Sequence, residues 1–104
     1  MKIYKYNLEI IDNQRIQTDE FVPTPLHVGE QNGKLMMWVR LDKGLPGKKY
    51  QVDVSIFSTG MECDLIGKTY LGTAIMSAGF VWHVYTSLVV SADNERALQS
   101  IDIW

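Results

Sequence analysis

The chain has 104 residues, of which 46% are apolar and 21% charged, with a formal charge of −2. This is the make-up of one globular domain with a modest core. It excludes attraction of nucleic acid by bulk positive charge, and no apolar run approaches the length of a membrane-spanning helix. Cys63 is the only cysteine, so no internal disulfide can form, which suits a reducing cytoplasm. Met1-Lys2-Ile3-Tyr4-Lys5 lacks an apolar signal segment, so a cytoplasmic protein is expected.

Residues 3–11 alternate, with Tyr4, Tyr6, Leu8 and Ile10 on one face and Lys5, Asn7 and Glu9 on the other. This predicts a half-buried strand. Asp12-Asn13-Gln14 reads as a three-residue turn that places Ile16 opposite Ile10 and Thr18 opposite Leu8. Residues 19–25 carry Pro23 and Pro25. Two prolines at alternate positions cannot sit in a central strand, so a surface connector is expected.

Gln31-Asn32-Gly33-Lys34 is the strongest local signal. Asn-Gly between strand-like runs predicts a type I′ hairpin. The register pairs Val28 with Met37, Leu26 with Val39 and His27 with Trp38. Leu35, Met37, Val39 and Leu41 then face a core, with Met36, Trp38 and Arg40 opposite. Gly44-Leu45-Pro46-Gly47 is a loop by its breakers. Tyr50, Val52, Val54 and Ile56 alternate with Gln51, Asp53 and Ser55 as another strand. Residues 58–67 form the longest connection without strand character.

Thr69–Tyr85 predicts a second hairpin, with Ser77-Ala78-Gly79 as a three-residue loop and Gly79 in the left-handed position. Phe80 lies opposite Met76, Trp82 opposite Ala74 and Val84 opposite Gly72. Val81, His83 and Tyr85 share the other face with Ile75, Thr73 and Leu71. Both faces are apolar, as in a central hairpin. The strand pattern continues to Val90. Ser91 can cap a short helix over 92–99, and Ile101, Ile103 and Trp104 make an apolar end expected to dock on this chain or on a second copy.

The whole is expected to be a single all-β domain over residues 1–104: a small antiparallel barrel or sandwich of six to seven strands built from hairpins, with a short C-terminal helix.

No pair among Cys63, Asp64, His27 and His83 has metal-ligand spacing, so no metal and no cofactor is expected. His83 faces Thr73, and a hydrogen-bonded structural histidine is a simpler reading than a hydrolase without a nucleophile motif. Thr59-Gly60 is one glycine without a P-loop lysine, and a plain turn outweighs an anion cradle. Trp38, beside His27 and Arg40, is a contact candidate, and Met36 adds adaptable surface.

The order Ile3-Tyr4-Lys5-Tyr6, Leu8, Ile10, Gln14-Arg15-Ile16, Gln31-Asn32-Gly33, Thr59-Gly60, Tyr70-Leu71-Gly72-Thr73 and Val81-Trp82-His83-Val84 resembles a family of small bacteriophage- and prophage-encoded proteins over residues 1–85. Ser58 stands where that family often has Gly before Thr-Gly, the loop after Gly60 differs, and 86–104 reads as an extension. The resemblance carries over no site residues. It implies action in the cytoplasm of an infected bacterium.

Two functions follow as expectations. The first is a non-catalytic accessory protein that binds and blocks a host protein, such as a CRISPR–Cas defence component, through Met36, Trp38, the 58–67 loop and Trp104. The second is a homo-oligomeric sponge for a nucleotide messenger, built from Arg40, Thr59, Gly60, His83 and Tyr85. A small hydrolase ranks third.

Overall fold

The computed structural model describes residues 1–89. Seven strands follow one another: β1 (Lys2–Asn7), β2 (Asn13–Asp19), β3 (Phe21–Gln31), β4 (Lys34–Lys43), β5 (Lys49–Ser58), β6 (Thr69–Ile75) and β7 (Val81–Val89). They form two antiparallel sheets, one ordered β1-β4-β3 and the other β2-β5-β7-β6. The fold is an open sandwich rather than a closed barrel. No helix among the described residues is long and apolar enough to cross a membrane. The expected helix over 92–99 and the apolar end with Trp104 lie outside the described residues.

Period-two alternation builds the core. On β4, Leu35, Met37, Val39 and Leu41 point inward and are buried. On β5, Val52, Val54 and Ile56 do the same, joined by Val84 from β7 and by Ala74 and Met76 at and just beyond the end of β6. Tyr6, Ile16, Leu71 and Trp82 pack partly against this cluster. Burial, aided by nearby Tyr4, holds the Tyr6 phenol above its ordinary pKa, so the folded state favours neutral Tyr6.

Both turn-encoded hairpins form, and beside their turns they keep the expected registers. Asn32 and Gly33 adopt φ of 54° and 77°, as a type I′ turn needs, and Gln31 pairs with Lys34, Val28 with Met37 and His27 with Trp38. Gly79 sits at φ 100°, with Ala74 opposite Trp82 and Gly72 opposite Val84. Gly72 has a packing role as well. A Cβ there would lie 3.0 Å from Val28 Cγ1, so glycine lets β6 approach β3 across the sandwich.

Five expectations are corrected. β1 and β2 do not form a hairpin: β1 pairs with β4 and β2 with β5, so residues 8–12 cross between sheets. Residues 21–25 are strand, not connector. β3 lies at the edge of its sheet, and prolines two apart turn their missing N–H to the same, unpaired side. Leu26 is a bulge residue, so Pro25 rather than Leu26 meets Val39; the extra residue switches the inward set from Pro23 and Pro25 to Val28 and Glu30. The second hairpin is not central, because β6 is an edge strand. A shift at Leu71 also puts Tyr70, not Leu71, opposite Tyr85.

The chain changes sheet between β2 and β3 at Glu20, a non-glycine residue at φ 65°. Several hydrogen bonds hold this corner. Glu20 N–H donates to Lys48 O at 2.7 Å, Gly44 N–H donates to Glu20 O at 2.7 Å, and Gly47 N–H donates to the Glu20 carboxylate at 2.8 Å. Left-handed backbone at a residue with a Cβ costs about 1–2 kcal/mol. Glu20→Ala keeps that strain and loses the carboxylate bond, so it is expected to lower stability by about 1–2 kcal/mol. Glu20→Gly relieves the strain and should fall between Ala and wild type. Urea denaturation of the three proteins checks the order.

Candidate functional site

Three turns meet at one end of the sandwich. The first is the 8–12 crossing. Leu8 N–H donates to Leu35 O at 2.8 Å and Ile56 N–H donates to Asp12 O at 3.0 Å, which ties the segment to both sheets. The Gln14 side-chain amide closes it by pairing with both backbone groups of Glu9, at 3.1 and 2.7 Å. Ile10 and Ile11 are thereby left about half exposed. The second turn is the Asn32-Gly33 hairpin tip.

The third is the Ser77-Ala78-Gly79 tip. Met76 N–H donates to Phe80 O at 2.7 Å and Gly79 N–H donates to Met76 O at 2.9 Å. Phe80 follows the inward parity of Trp82 and Val84 but stands past the end of the core, 60% exposed. Its ring stacks on Trp82, with centroids 5.8 Å apart and planes 13° apart. Glu30 bridges the two hairpin tips: its Oε1 accepts from Ser77 N–H at 3.1 Å and Ser77 Oγ at 2.8 Å.

Between the turns lies an open cleft of about 630 Å³. Leu8, Ile10, Leu35, Met76, Phe80 and Trp82 supply its apolar lining, and Asn7, Glu30, Lys34 and Ser77 its polar margin. Ile10, Ile11, Met61 and Trp82 also border a smaller depression beside it. Clefts of this size lined by aromatics with a few polar groups are the usual form of a binding site. Clustered exposed apolar side chains at one end also mark an interaction surface more often than chance exposure.

A second cluster occupies the outer face of the four-stranded sheet. β5 and β6 run parallel on either side of β7, so residues 59–68 cross over β7. Thr59 Oγ1 lies 2.9 Å from His83 Nε2 and Thr73 Oγ1 lies 3.0 Å from His83 Nδ1. Tyr70 OH contacts Thr73 Oγ1 at 2.6 Å. The Tyr85 ring meets Tyr70 at 5.4 Å and Phe57 at 5.8 Å. At the other end of the crossover, Lys68 Nζ donates to Ser55 Oγ at 2.5 Å and lies 5.8 Å from the Phe57 centroid.

The structure therefore divides the residues singled out in the sequence. Thr59, Gly60, His83 and Tyr85 come together on the outer face of the four-stranded sheet. Met36, Trp38 and Arg40 lie on the outer face of the other sheet, away from them. Trp38 is half-buried against His27, 5.6 Å between centroids. Arg40 is engaged by Asp42 at 2.8 Å. Met36 is only 9% exposed and is not the adaptable surface expected of it. In register it lies between Asn7 and Gly29, and the His27 and Trp38 rings lean over Gly29. Trp104 lies outside the described residues.

Sequence reasoning missed Phe80, Ile10 and Glu30 as a joint site, and Lys68 as the cation beside Ser55 and Phe57 on the outer face of the four-stranded sheet. The one available signal was apolar Phe80 directly after a turn glycine. Among the described residues no three of His, Cys, Asp and Glu converge as metal ligands.

With both ring nitrogens occupied by threonine hydroxyls, His83 anchors the crossover. His83→Ala is expected to cost about 1–2 kcal/mol and to speed hydrogen exchange in residues 60–66. Denaturation and exchange mass spectrometry check this.

No curated protein and no solved structure matches the chain. The model of a domain of unknown function, DUF7352, matches residues 1–96. By that match the chain belongs to the DUF7352 family.

Proposed function

We propose that this is a non-catalytic binding protein that docks on, and blocks, a protein of the bacterial host through its apolar end. The observation that carries the reading is the Phe80–Trp82 stack, exposed in a concave cleft where three turns meet. A small domain leaves such a ring in water at a cost unless something covers it, and aromatic anchors dominate protein interfaces. The setting, a phage accessory protein acting against host defence in the cytoplasm, rests on the motif resemblance over residues 1–85.

The test is plating. Expressed in bacteria carrying a panel of defence systems including CRISPR–Cas, the wild-type protein should restore phage plating against one of them. Phe80→Asp should lose the effect with little change in melting temperature, since Phe80 stands outside the core. No restoration across the panel, or full activity of Phe80→Asp, would overturn the reading.

One observation favours a second reading, a nucleotide sponge. Thr59, Gly60, His83 and Tyr85 gather on one face with Lys68 as a cation, and aromatic faces beside a cation suit a base and a phosphate. Arg40 would take no part, being on the opposite sheet. This reading expects a defined oligomer and thermal stabilisation by at least one of a panel of cyclic and linear nucleotides, lost in Tyr85→Ala.

A further inference from the structure

We infer that the cleft at the hairpin end takes an arginine set among apolar residues on a segment of the partner protein. This deepens the docking reading above and rests on it. The chemistry of the cleft is specific in two independent ways.

The first is the aromatic shelf. Trp82 covers one side of Phe80, and a ring 60% exposed has its other face open. The face of an aromatic ring carries partial negative charge and attracts a cation, and a planar guanidinium stacks on it better than an ammonium does. The shelf floor is apolar, which suits the methylene stem of a long cationic side chain and its apolar neighbours.

The second is the margin. Glu30 lines the cleft and is held in place by two hydrogen bonds from Ser77, both to Oε1. Its Oε2 is left available to accept. Asp12 borders the adjoining depression. Against these two carboxylates the lining offers, among the described residues, one ammonium, Lys34. An acidic margin around an apolar floor repels an acidic partner and complements a basic one. An arginine can satisfy both features at once, with its plane on Phe80 and its N–H groups on Glu30.

The experiment uses the full chain and three peptides, acetyl-Leu-Arg-Leu-Trp-amide and the same sequence with citrulline or lysine in place of arginine. Citrulline has nearly the shape of arginine without its charge. Binding is measured by calorimetry at about 50 mM salt, where exposed charges are weakly screened. The arginine peptide should bind at least tenfold more tightly than the citrulline peptide, with lysine between them. Glu30→Gln retains an oxygen for Ser77 but removes the charge, and should cut the arginine preference severalfold at unchanged melting temperature.

Equal binding of the arginine and citrulline peptides would overturn the inference while leaving an apolar docking site standing. An arginine preference unchanged in Glu30→Gln would overturn the assigned pairing. No binding of any peptide would overturn the inference outright, and the plating result with Phe80→Asp would then decide separately whether the cleft is a docking surface.

Discussion

The structure depends on one dry interface. Met37 and Val39 of the central strand β4 and Val52 and Val54 of the central strand β5 are almost wholly removed from water, each on its own sheet. Strand side chains alternate strictly, so these positions can be buried only if the two sheets turn the same parity towards each other. Burial of an aliphatic side chain is worth about 1.5–3 kcal/mol, and moving any strand by one residue would turn its apolar set outward. Everything else in the fold is arranged around keeping those two faces together.

That demand makes the chain cross between sheets, and the crossings make the site. Residues 8–12 carry the chain from one sheet to the other at one end, and Glu20 carries it back at the opposite end. The Glu20 corner is tied by backbone and carboxylate bonds. The 8–12 crossing is closed by the Gln14 amide in a way that leaves Ile10 and Ile11 outside. Two hairpin tips project beyond the core at the same end, so Phe80, with the parity of a core residue, has no opposite sheet to cover it. The cleft thus arises where strands outrun the interface that their alternation serves.

The two outer faces serve different ends. On the three-stranded sheet, Trp38 and His27 pack over Gly29, and Arg40 pairs with Asp42, so its polar and aromatic groups are engaged with each other. On the four-stranded sheet the 59–68 crossover is pinned by Thr59 at one end and Lys68 at the other, and His83 is held between two hydroxyls. These contacts explain how a long connection stays on the surface of a strand without a hydrophobic face of its own.

What the sequence determined by itself was local. Asn32-Gly33 and Ser77-Ala78-Gly79 dictate their turns because positive φ is cheap only at such residues, and each turn then sets the register of the few pairs beside it. Alternation likewise made Leu35–Leu41 and Val52–Ile56 legible as core faces, and opposition to Thr73 made His83 legible as a bonded histidine. Tertiary structure decided which strands meet. β1 finds β4, and β2 finds β5, across long stretches of chain, and no short-range rule distinguishes that from a β1–β2 hairpin with equally good alternation. It also decided that a strand with two prolines could be used, because an edge needs hydrogen bonds on one side only. The site was hidden for the same reason: Ile10, Glu30 and Phe80 are far apart in sequence and become neighbours only because two sheets, packed on one interface, end at the same place.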